Sequence, residues 1–138
     1  MKKLMMLSLV ATALIFSATA QKLRNKNVPL AVITSFQKQY PGITAKWEKE
    51  KDQFEANFKT GKSSVSVLYM ADGTISETEL SIQPASLPLP VLAYIKANYK
   101  GAAVKEAAKI IKANGDINYE AEVKGKDLIF NKDGNFLK

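Results

Sequence analysis

The chain has 138 residues, 46% hydrophobic and 24% charged, with 20 Lys and Arg against 13 Asp and Glu, and it has neither Cys nor His. That composition excludes a collagen-like, low-complexity or largely disordered chain. The two zeros exclude Cys–His and Ser–His–Asp nucleophilic catalysis, any zinc site built on imidazole or thiolate, and the usual general base near neutral pH.

Residues 1–20 read as a cleaved signal peptide. Lys2 and Lys3 form a positive start, Leu4 to Phe16 is almost wholly apolar, and Ala18-Thr19-Ala20 supplies small residues before a cleavage between Ala20 and Gln21. The apolar run is shorter than the roughly 18–20 residues that span a bilayer, so no membrane span is expected after its removal. A periplasmic or secreted protein follows, and export argues against nucleic acid as the partner of a basic chain. The lysines alternate with acids, as on a solvated surface; the sharper reading is attraction to an anionic surface or an acidic partner. With no disulfide available, the remaining chain buries roughly 65% of its unfolded surface, enough for one domain or two small repeats.

After a short extension over 21–27, Asn27 is placed to cap a helix with Pro29 in its first turn. Val32, Ile33, Phe36 and Tyr40 form its apolar stripe, and Pro41-Gly42 ends it. Ile43 to Lys51, with Trp47, reads as a strand. Phe54, Ala56 and Phe58 alternate with polar residues, Val65, Val67 and Tyr69 alternate with Ser64, Ser66 and Leu68, and Asp72-Gly73 marks a hairpin turn. Gln83-Pro84-Ala85-Ser86 is a turn-rich linker.

The pattern then starts again. Val28-Pro29-Leu30-Ala31-Val32 recurs as Leu87-Pro88-Leu89-Pro90-Val91, and Phe36, Tyr40 and Gly42 recur as Ile95, Tyr99 and Gly101. Phe54-Glu55-Ala56 recurs as Tyr119-Glu120-Ala121, and Asp72-Gly73 as Asp133-Gly134. Blocks kept in order indicate a tandem duplication, with repeat one over 28–82 and repeat two over 87–138. Ala102 to Lys112 has helical propensity, but its counterpart around Trp47 is a strand, and the repeat decides for strand. The expected fold is α+β: in each repeat a helix followed by about four antiparallel strands, with the helices packed on one sheet face.

The pattern VPxxVxxxFxxxYPG, a Trp strand, FEAxF and an aromatic-x-x-DG turn resembles the PepSY-like family of exported bacterial proteins, which is described as similar to the β-lactamase-inhibitor protein. The resemblance covers about 28–138 and implies tandem helix-plus-sheet units outside the cytoplasm. Its motifs are structural and carry no reactive residue onto this chain. Repeat two has Glu106 in place of Trp47 and Lys100 in place of Pro41.

No residue set calls for a catalytic site, a metal or a cofactor. Asp72 and Asp133 read as hairpin residues, and Glu55 and Glu120 as polar positions on solvated strands. Trp47 is either a core residue or a contact for a partner; alternation leaves both open. The function these features favour is a non-enzymatic exported module binding a protein or peptide, with hydrolase inhibition as the version the resemblance implies. A small-ligand or glycan binder of the periplasm is the alternative.

Overall fold

A computed structural model describes residues 21–138; the predicted signal segment and its Ala20 lie outside the described residues. The strands are β1 (Gln21–Leu23), β2 (Lys46–Glu50), β3 (Gln53–Thr60), β4 (Ser63–Tyr69), β5 (Ile75–Ile82), β6 (Val104–Lys112), β7 (Ile117–Val123) and β8 (Lys126–Asn131). Helix α1 (Leu30–Gln39) precedes β2 and α2 (Leu89–Asn98) precedes β6. All eight strands pair with their sequence neighbours, antiparallel, in one continuous sheet. The strand Val104–Lys112 confirms that tertiary pairing outweighs the helical propensity of AAVKEAAKIIK. One expectation needs correcting: the second helix is followed by three strands rather than four. The β5–β6 pairing also joins the halves into one sheet rather than two.

Both helices are built alike. A single turn of tighter helix precedes each, Pro29 or Pro88 stands at the N-cap, and its carbonyl accepts the N–H groups three and four residues on. Asn27 therefore does not cap α1; it belongs to the preceding turn, and no side chain caps either helix. Proline fills the boundary because its fixed φ directs the chain into the helix and its missing N–H is not needed there.

Strand register places both helices on the same side of the sheet. Side chains directly opposite one another share a face, so Trp47, Ala56, Val67 and Thr78 lie together, as do Phe58, Val65 and Leu80. Val32 and Phe36 of α1 close over Trp47, Phe54, Phe58, Val67 and Tyr69. Val91 and Ile95 of α2 close over Ala107, Ala121, Val123, Leu128 and Phe130. Phe36 and Ile95, predicted as equivalent core positions, are both buried. Each helix is also wedged by a turn. A Cβ on Gly73 would stand 2.6 Å from the Ala31 carbonyl oxygen, and one on Gly134 would collide with Pro90.

Candidate functional site: the face without a helix

The side of the sheet opposite α1 and α2 is covered by no helix among the described residues. Parity puts most of the acidic residues of the chain there: Glu48 and Glu50 on β2, Glu55 on β3, Glu77 and Glu79 on β5, Glu106 on β6, Glu120 and Glu122 on β7, and Asp127 on β8. Lys46, Lys59 and Lys112 are among the strand lysines on the same face. A basic chain thus carries an acidic face.

The centre of this face is an ordered, mixed polar and apolar surface. Register sets Glu55, Leu68, Glu77 and Lys112 in one row across β3–β6, and Asn57, Ser66, Glu79 and Ile110 in the next. Leu68, Ala108 and Ile110 are buried, and so are Glu55, Glu77 and Glu79. Neither helix supplies that burial, since both lie on the other side. The Ser66 hydroxyl donates to Glu55 Oε1 at 2.5 Å, and Lys112 Nζ pairs with Glu77 Oε2 at 2.5 Å. Lys105 reaches Glu122 at 3.6 Å.

Glu79 is placed differently. It is 4% exposed, and the principal charges acting on it are the carboxylates of Glu120, Glu77, Glu55 and Asp127. Burial first, and then those like charges, push its carboxyl up to about 9, so it is protonated at neutral pH. Glu120 is pushed up to about 7 by burial and by Asp127 and Glu77, with Lys138 opposing. Burial raises Glu50 and Asp127 as well. Glu55, expected on a solvated strand, is instead buried; Glu120 is partly exposed, and the sheet gathers both with acids from strands distant in sequence. No cluster of three or more Asp or Glu among the described residues is arranged to hold a metal ion.

Residues 16–77 and 52–138 match the family described as "Putative beta-lactamase-inhibitor-like, PepSY-like". The chain belongs to this PepSY-like family. Solved structures share the fold. One is a DUF2874 family protein from Bacteroides uniformis, at 16% identity and TM-score 0.72, covering 80% of this chain and 86% of the other. A second, described as "putative periplasmic proteins" from Bacteroides eggerthii, has 19% identity, TM-score 0.71 and the same coverage. A BLIP-like protein from Bacteroides fragilis has 25% identity and TM-score 0.61, covering 78% of this chain and 82% of its own. No curated protein matches the chain.

The other predicted positions of this PepSY-like chain lie away from the acidic face. Trp47 is 4% exposed on the helix side, its ring packed between Phe36 and Tyr69. Of its two readings, that placement favours the core one. Asp72 caps its own turn: its carboxylate accepts the Thr74 N–H at 2.8 Å, which holds the carboxyl below the usual range. Asp133 sits in a turn organised by Asn131, whose side-chain oxygen accepts the N–H groups of Asp133 and Asn135. Gln21, the first residue after the predicted cleavage, opens the edge strand β1. No helix among the described residues is long and apolar enough to cross a membrane.

Proposed function

We propose that this protein is an exported, non-enzymatic binding module made of two copies of one helix-plus-sheet unit, and that the helix-free face of its sheet engages a protein or peptide outside the cytoplasm. The observation that carries the reading is the composition of that face. Leu68, Ala108 and Ile110 stand among Glu55, Glu77 and Glu79, and no described helix lies over them. What the face presents outward is a broad polar surface, ordered by the strand register and left open by both helices, with the shape and extent to receive a partner. A fold shared with a BLIP-like protein and with a protein described as periplasmic agrees with it, as does the signal-like start. Inhibition of a hydrolase is the specific form that the family description suggests.

The test is capture from an envelope extract with wild-type protein beside two variants of equal stability. Asn118→Lys places a charge at the partly exposed centre of the face, beside Ile110, and Lys96→Glu alters the outer surface of α2. Loss of the captured protein with the first variant alone supports the reading. Equal capture by all three moves the binding surface elsewhere. A small molecule retained in native mass spectra, with no protein captured, favours the ligand-binding alternative.

A further inference from the structure

The face has a charge opposite in sign to that of the chain. The sequence is formally +7. Yet Glu55, Glu77, Glu79, Glu120 and Asp127 are brought together across β3, β5, β7 and β8, although they span 73 positions of sequence. Of the lysines at the centre, Lys112 is already paired with Glu77, and Lys138 acts on Glu120 and Glu77. The charges acting most strongly on Glu79 are all negative.

We propose that the face takes a partner segment that presents lysine or arginine side chains. This rests on the reading of the face as the binding surface and names the chemistry of its partner. An ammonium or guanidinium arriving between Glu79 and Glu120 meets carboxyls on both strands. Desolvated charge pairs of this kind set register and specificity. An acidic segment would add negative charge to a face already crowded with acids, and an uncharged one would bring no cation to pair with them. Elsewhere the excess of lysines repels a cationic segment, so the field of the whole molecule directs it to this face.

The experiment titrates the exported protein with three synthetic peptides, alternating Lys-Leu, Ser-Leu and Glu-Leu, each eight residues long, following side-chain carboxyl and methyl NMR signals. The Lys-Leu peptide should bind at least tenfold more tightly than the Ser-Leu peptide at low salt. It should shift the signals of Glu79, Glu120, Leu68 and Ile110, and weaken steeply as salt is added. Glu79→Gln combined with Glu120→Gln, which keeps shape and removes both carboxyls that could ionise against an arriving cation, should abolish the difference between the two peptides. Equal affinity for all three peptides at this face would overturn the charge complementarity while leaving the binding surface intact. Shifts confined to the helix side would overturn both. A Lys-Leu preference that survives the double variant would also overturn the proposal.

Discussion

The Trp47 indole meets the Phe36 ring edge to face, with centroids 5.3 Å apart, and so joins the second strand to the first helix. Phe58 also meets Phe36 edge to face, at the same separation. Three aromatic rings from α1, β2 and β3 thus form the centre of the first core. Removing one leaves a cavity that its neighbours cannot fill without leaving their rotamers.

Trp47→Ala should therefore lose roughly 3–5 kcal/mol of stability in a urea melt, and Phe36→Ala a similar amount. Ile95→Ala, the equivalent in the second core, should lose about 2–5 kcal/mol. A Trp47→Ala protein that melts like the wild type but no longer binds its partner would restore Trp47 as a contact residue.

Gly73 and Gly115 both have positive φ, 88° and 87°, but only Gly73 is crowded. Gly115→Ala, with nothing within 4 Å of its added carbon, should cost about 1 kcal/mol through backbone strain. Gly73→Ala adds a collision with the Ala31 carbonyl and should cost at least about 2 kcal/mol more. Equal melts for the two variants would show that the Asp72-Gly73 turn does not brace α1.

Glu79 couples stability to pH. Its folded pKa of about 9 lies above the model-compound value of 4.5, so the folded state binds more protons between those limits. Stability from this group is fully present below about pH 4.5 and is lost as pH rises through about 9. Glu79→Gln should leave stability at pH 4 unchanged and raise it by more than about 1 kcal/mol at pH 8, flattening the profile. A variant less stable than wild type at pH 8 would mean that the Glu79 carboxylate is held by a favourable partner.

Lys112 and Glu77 pair across β5 and β6, the junction between the two halves of the sheet. Lys112→Met keeps the aliphatic stem and leaves the buried Glu77 without its cation. The expected loss is about 1–3 kcal/mol by denaturant melt at pH 7. Most of it should be recovered in the double variant with Glu77→Gln. No recovery would show that packing, rather than the ion pair, holds the junction.

Much of the fold was legible because its signals are local. Pro29 and Pro88 open the helices, Asp72-Gly73 and Asp133-Gly134 turn the chain, and period-two alternation marks the helix-facing side of β3 and β4. Segment Val104–Lys112 needed the comparison with its counterpart, since its composition alone favours a helix. The acidic face was not legible. Parity assigns Glu79 and Glu120 to a polar side, but nothing local shows that β5 pairs with β6, a contact made across a linker and a helix. The available signal was the placing of Leu68 and Ile110: apolar residues at positions where alternation calls for polar ones. Trp47 stayed ambiguous because Ala45 and Lys49, which share its parity, do not define an apolar strand face.

The most direct test of the binding face is carboxyl footprinting, in which a carbodiimide couples an amine probe to accessible Asp and Glu, with labelled sites read by peptide mass spectrometry. With the captured partner bound, Glu50, Glu120, Glu122 and Asp127 should be protected relative to the free protein, while Asp72, Asp116 and Asp133 in the turns label as before. Protection of the turn carboxylates, with the sheet acids labelling as in the free protein, would contradict the account.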